Sequence, residues 1–265
     1  MLFCYHRAMF GWFRNWKRAR LRRRPFPPPW LEILRRNVPL FSRLSDADRE
    51  ELQRDILVFL AEKHFEGCAG LAITDEIRVT IAAQACLLLL RRKHDYFPDL
   101  VTILVYPAHY RARQRRRHEG LESEDESTRL GESWERGNVV LSWDAALSGA
   151  RDMRDGHNVV LHEFAHQLDQ ADGAADGAPD LPRGMYGPWA RVLGGHFERL
   201  QADKARHRKT LIDKYGATSP AEFFAVITEA FFEKPRQMKL KHPELYGQLQ
   251  TFYGQDPAED KTRIL

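Results

Sequence analysis

An α+β fold is what this sequence predicts, on three observations. Two short segments rich in β-branched and aromatic residues, Leu100–Tyr106 and Asn138–Trp143, lie in the first half of the chain and its middle. Amphipathic helical patterns precede them and fill the last third. Between the second strand and those last helices stands His162-Glu163-Phe164-Ala165-His166, an HExxH. This arrangement works only on a helix, where residues four apart share a face and can aim two imidazoles at one cation. A small mixed sheet, a helix carrying the motif and a helical C-terminal part follow from that order of elements.

The elements have local reasons. Ser45-Asp46-Ala47-Asp48 opens a helix running to about Lys63, with Leu52, Ile56, Phe59 and Leu60 on its apolar side. A second runs from near Asp75 to Arg92, with Ile77, Ile81, Ala85, Leu88 and Leu89 inward. Leu100–Tyr106 is a strand stopped by Pro107, and Asn138–Trp143 a strand entered from Gly137 and followed by a short helix from Asp144. The charged stretch between them, basic over 111–117 and acidic over 122–126, reads as an exposed loop or ribbon. Val159, Val160, Phe164, Ala165 and Leu168 turn the motif helix toward the core, and Gly173, Gly177 and Pro179 mark the loop after it. Trp189–Gln201, Pro220–Phe232 and Leu245–Phe252 are the C-terminal helices.

Composition narrows the class. With 265 residues, 43% hydrophobic and 29% charged, the chain suits a soluble globular protein with a sizeable core. Its most apolar run, Ile81–Leu90, is too short to span a bilayer. Three scattered cysteines, Cys4, Cys68 and Cys86, suggest neither a disulfide framework nor a second metal site and fit a cytoplasmic location. The net charge of +4 is a property of the N-terminus. Arg7, Arg14, Lys17, Arg18, Arg20 and Arg22–Arg24 stand there without an acid, and the rest of the chain is mildly acidic. The folded domain is therefore not expected to bind nucleic acid. That N-terminus also carries Phe3, Phe10, Trp12, Phe13 and Trp16, and lacks the apolar run and cleavage site of a secretory signal. It reads as a solvated tail, with contact to an anionic membrane as the lesser alternative. The expected division is a basic, aromatic, proline-rich tail over 1–30, a domain over 31–257 and a C-terminal tail over 258–265.

Either histidine of the motif alone would read as a hydrogen-bonded helical residue. Both at i and i+4, with a Glu after the first and an apolar helix around them, are better explained by a metal, because burying such groups unpaired costs several kcal/mol. Two His and a carboxylate around an open position favour Zn²⁺, one per chain. Asp172 stands where a third His six residues on would complete one extended pattern, with Asp169 in place of its Gly. A third ligand must come from another helix. Glu222 in Ser219-Pro220-Ala221-Glu222 offers one, and Glu229, two turns on, competes. Glu222 is equally well explained as the third residue of a capping box opened by Ser219 and Pro220. Asp169 either orients a ligand imidazole or caps the helix end. Val139–Trp143 is an ordinary core strand or an edge along which a peptide lies.

The stretch His162–Asp169, followed by Asp172-Gly173, Tyr215 and Ser219-Pro220-Ala221-Glu222-Phe223-Phe224-Ala225-Val226, resembles the Mlc titration factor A family of bacterial zinc peptidases. The likeness runs from about Pro39 to Pro257 and leaves residues 1–24 outside. It implies a zincin-like fold with an active site similar to the anthrax lethal factor catalytic domain, and aminopeptidase-type activity. His162, His166 and Glu222 become the metal ligands and Glu163 the general base. Tyr215, seven residues before Glu222, becomes a hydrogen-bond donor to the developing oxyanion. The resemblance further implies binding of a transcriptional repressor of sugar-uptake genes, so a regulatory binding protein independent of catalysis is the alternative to a peptidase acting on peptide substrates.

Overall fold

The computed structural model describes residues 2–108, 110–111, 128–129, 131–134 and 137–259. In chain order, α1 (Leu2–Arg22), α2 (Pro28–Asn37) and the short α3 (Leu40–Arg43) lead into α4 (Asp46–Glu62), β1 (His64–Gly67), α5 (Asp75–Leu87) and β2 (Thr102–Tyr106). A ribbon of β3 (Tyr110–Arg111) and β4 (Thr128–Arg129) precedes β5 (Gly131–Trp134) and β6 (Asn138–Ser142). The remainder is helical: α6 (Trp143–Arg151), α7 (Val159–Asp169), α8 (Tyr186–Ala205), α9 (Pro220–Glu233), α10 (Pro235–Lys241) and α11 (Pro243–Tyr253). Short 3-10 turns lie at Gln170–Asp172 and Lys214–Ala217. The expected charged loop between β2 and β5 falls largely outside the described residues, as do residues 260–265.

The protein is thus α+β, mostly helical, with one small mixed sheet of order β1-β2-β6-β5. β1, β2 and β6 are parallel, and β5 returns antiparallel on β6. Ile103 lies opposite Val139 and Val105 opposite Leu141, and all four side chains are buried. β6 therefore has a neighbour on each side, so of the two readings of Val139–Trp143 the core strand holds and the substrate-accepting edge does not. The edges of this sheet are β1 and β5, and β5 packs against α7.

Helix ends follow side-chain chemistry. Ser45 Oγ accepts the Asp48 N–H at 3.2 Å and opens α4. α5, expected to reach Arg92, ends at Leu87. Arg91 adopts φ 60°, which a right-handed helix does not allow, and its guanidinium forks onto Asp48 through two 2.7 Å bonds. Pro28 sits in the first turn of α2, so the proline run starts a helix.

The basic N-terminus is not a solvated tail over the residues whose side chains are described. Arg18 is 8% exposed and forks onto Glu62 through two 2.7 Å bonds, and also pairs with Asp95. Arg14 reaches Asp95 at 2.9 Å, and Arg22 reaches Glu51 at 2.6 Å, the Tyr96 hydroxyl at 2.7 Å and Asp55. Positions 14, 18 and 22 are a single helical face. Its partners lie on α4 and the 95–96 loop, beyond the reach of any local pattern. Among the described residues, no helix is long and apolar enough to cross a membrane.

Phe164 fixes the motif helix in this core. Its ring centroid is 4.9 Å from that of Phe97 and 5.8 Å from that of Phe59 of α4. Val160, Leu161, Phe164 and Ala165 are fully buried. The inward side of α7 is anchored, leaving its other side to carry chemistry.

Candidate metal centre

α7 begins where Asn158 Oδ1 accepts the Leu161 N–H at 3.0 Å, and α9 where Ser219 Oγ accepts the Glu222 N–H at 3.2 Å. The two helices pack directly together. That packing brings three donor atoms to one point. His162 Nε2 is 3.0 Å from Glu222 Oε2 and 3.3 Å from His166 Nε2, and His166 Nε2 is 3.5 Å from the same carboxylate oxygen. Ligands about 2.0–2.1 Å from a tetrahedral zinc stand about 3.3 Å from one another, so the spacing suits that ion. Two imidazole nitrogens and a carboxylate oxygen at such distances also want a positive charge between them. Among the described residues His162, His166 and Glu222 are a group able to hold a metal ion.

The capping and ligating readings of Glu222 divide between its backbone and its side chain. The N–H satisfies Ser219, and the carboxylate turns to the imidazoles. Burial alone would raise the Glu222 pKa, but the hydrogen bonds and charges of His162 and His166 outweigh it and hold the carboxyl well below its ordinary range.

Glu229, the rival ligand, lies elsewhere. Its Oε1 is 2.8 Å from His162 Nδ1, on the far side of the ring from the cluster. The carboxylate can only accept, so Nδ1 donates, and Nε2 is the nitrogen that faces Glu222 and His166, holding a proton toward Glu222 until a cation takes that proton's place. The other oxygen of Glu229 accepts the Asn158 backbone N–H. The residue that starts α7 and the carboxylate that orients its first histidine are thereby tied together. Sequence reading missed this role. The available signal was the seven-residue step from Glu222, which puts both carboxylates on one face of α9.

Glu163 is 4% exposed, and its charge acts on His162. Burial would favour a neutral His162, but Glu222, Glu229 and Glu163 together raise its pKa well above the ordinary value. The same negative field attracts a cation. Tyr215, in the 3-10 turn before α9, is 54% exposed, with its ring centroid 6.1 Å from that of His162.

Asp169 is fully buried, and among the described residues its carboxylate has no hydrogen bond to a ligand ring or to the end of α7. Its Oδ2 accepts the Gly177 N–H at 3.0 Å, and burial pushes its carboxyl up to about 6. Gly177 has φ +79°, and a Cβ there would stand 2.5 Å from the Pro220 carbonyl oxygen. The end of one donor helix is thus pinned, through a residue that must be glycine, to the start of the other.

One turn beyond Glu229, Glu233 is 4% exposed, and burial, with the Glu229 charge adding to it, pushes its pKa up to about 9. A pKa raised from 4.5 gives a contribution to stability that is complete below pH about 4.5 and is lost as pH rises through about 9. Glu233→Gln keeps the neutral shape without the proton equilibrium. Its urea-unfolding stability is expected to match wild type below pH about 4 and to gain on it by up to about 1.4 kcal/mol per pH unit toward pH 9. Parallel pH dependences for the two proteins would contradict this.

Fold and donor cluster together define a metallopeptidase-like α+β protein. The model of the glucose-regulated metallo-peptidase M90 family matches residues 13–254, and the chain belongs to that family. A metal ion is implied by that membership. The chain is 42% identical over 246 residues to an uncharacterized protein of Synechocystis sp., covering 92% of this chain and 90% of the relative. It is 31% identical to the Mlc titration factor A of Klebsiella pneumoniae (strain 342), covering 87% of each. To the protein of that name in Serratia proteamaculans it is 32% identical, covering 86% and 87%. The family match begins at residue 13, inside α1, and so takes in part of the basic N-terminus.

Proposed function

We propose that this protein is a zinc-dependent metallopeptidase of zincin-like fold, acting in the cytoplasm as an aminopeptidase on peptide substrates, with residues 31–257 as its catalytic unit. The observation carrying this reading is the convergence of His162 Nε2, His166 Nε2 and Glu222 Oε2 within 3.5 Å of one another. In this reading these three hold one Zn²⁺. When bound, the ion supplies Lewis acidity, which acidifies a water and polarises the scissile carbonyl.

The chain's own residues then do the rest. Glu229 fixes the His162 tautomer. Glu163, buried beside the histidines, accepts the proton of the attacking water and passes it to the departing amine. Tyr215, exposed at the rim, donates a hydrogen bond to the oxygen that gains charge. β5, the antiparallel edge of the described sheet, beside α7, is the strand on which a peptide would add by backbone pairing.

Two measurements test the reading together. Elemental analysis is expected to find about one zinc per chain. Cleavage of a peptide library is expected to release residues from free amino termini, to stop on chelation and to return with zinc. Zinc-free protein as purified, or hydrolysis indifferent to a chelator, would remove the proposal. Internal cleavage would remove only the aminopeptidase part. A second reading comes from the name of the relatives, Mlc titration factor A: binding of the Mlc repressor, a regulator of sugar-uptake genes, by a surface that works without catalysis. Capture of the repressor by metal-stripped protein supports it, and capture that needs the metal opposes it.

A further inference from the structure

α1 has two faces with opposite fates. Arg14, Arg18 and Arg22 point to the body and are matched by acids of α4 and the 95–96 loop. On the other side Trp12, Phe13 and Trp16 are 64%, 61% and 52% exposed. Phe13 lies between the two tryptophans, with ring centroids 5.7 Å and 6.2 Å away in edge contacts. Lys17, Arg20, Arg23 and Arg24 are exposed around and beyond them. Among the described residues none of these four has an ion-pair partner, and Arg20 lies 5.9 Å from the Trp16 ring.

At 100° per residue, positions 12, 13, 16, 17 and 20 fall within a sector of about 140°, and 14, 18, 21 and 22 in the opposite one. Trp12, Phe13 and Trp16 thus stay more than half exposed with the helix docked. The docked arginines hold the helix so that this sector faces outward.

We propose that this face of α1 is a docking surface for an anionic lipid bilayer, on which the helix lies in the plane of the interface. Tryptophan rings suit the boundary between headgroups and acyl chains, since they are apolar in body and polar at one edge. Unpaired cations of a single sign among them match a negatively charged surface. A second copy of this chain is a poorer occupant, because two such faces brought together would oppose like charges. The face is a convex helix surface rather than a groove, which suits a planar partner. The proposal is independent of the peptidase reading.

The test uses the full chain with its metal. Wild-type protein is expected to sediment with vesicles containing about one third phosphatidylglycerol and to leave them as salt is raised. Its tryptophan emission should shift to the blue as it binds. Weak or absent binding to pure phosphatidylcholine vesicles is expected alongside. The triple change Trp12→Ser, Phe13→Ser, Trp16→Ser and, separately, Lys17→Glu with Arg20→Glu should each lower the bound fraction roughly ten-fold. Thermal unfolding should be unchanged, because Arg14, Arg18 and Arg22 keep the helix docked. Absence of wild-type binding to the anionic vesicles would overturn the proposal, as would equal binding to neutral vesicles or unaltered binding by both variants. A wild-type dimer in light scattering that the aromatic variant converts to monomer would assign the face to a second copy and overturn it equally.

Discussion

Glu163→Gln is expected to retain zinc at the wild-type stoichiometry while peptide turnover falls by roughly 10²–10⁴-fold. The two halves of this result have separate causes. In the proposed reading metal is held by His162, His166 and Glu222, whose donor atoms lie 3.0–3.5 Å apart, and Glu163 is not one of the ligands. Gln has the shape of Glu and fits the same buried place, 4% exposed, so the helix and its imidazoles need not move. The amide cannot take a proton at neutral pH, and the attacking water keeps its own. Elemental analysis and steady-state kinetics on the same preparation read both halves. A variant with full zinc and undiminished kcat would show that Glu163 is not the base. One that loses zinc as well would show that Glu163 supports the ligands instead.

Turnover in this reading depends on a motif that was legible because it is local. The HExxH pair needs one helical turn, and Val160, Phe164 and Ala165 announce the apolar side of that turn within the same few residues. Ser219-Pro220 announces the start of α9 just as locally, which is why Glu222 could be placed in its first turn. What escaped the sequence was long-range. Glu229 lies 67 positions from His162, and nothing near either one says that a carboxylate meets Nδ1 and leaves Nε2 to the cluster. The same holds for the N-terminus. A run of arginines without acids reads as solvated until Glu51, Asp55, Glu62 and Asp95, all more than 25 positions away, are found beneath it. β1 was invisible for a different reason: His64–Gly67 is four residues with one apolar side chain, and only pairing with β2 makes it a strand. Whether Val139–Trp143 was a core strand or an edge stayed open in the sequence because strand order is a property of the sheet rather than of any one strand.

Comparing Glu222 with Glu229 gives the second large effect, and separates holding the metal from aiming a ligand. Both sit on α9, seven residues apart, and both contact His162, at 3.0 Å through Nε2 and 2.8 Å through Nδ1. Removing Glu229 as Glu229→Gln keeps an acceptor oxygen near Nδ1 but takes away its charge. Zinc affinity and activity are expected to fall by about 10–100-fold, the usual effect of losing an outer partner of a ligand histidine. Removing Glu222 as Glu222→Ala takes a donor atom out of the cluster itself. Two imidazoles remain where three protein donors are the rule, and the loss of zinc affinity should exceed that of Glu229→Gln by at least another order of magnitude. Competition with a metal-sensitive dye measures both on one scale. The Ser219 cap reaches α9 through the backbone N–H of residue 222, so alanine keeps it, and thermal unfolding of the metal-stripped variants should differ little. If Glu229→Gln proved the more damaging of the two, the third donor would be Glu229. The resting contact of Glu222 with both imidazoles would then be an ion pair that the metal breaks.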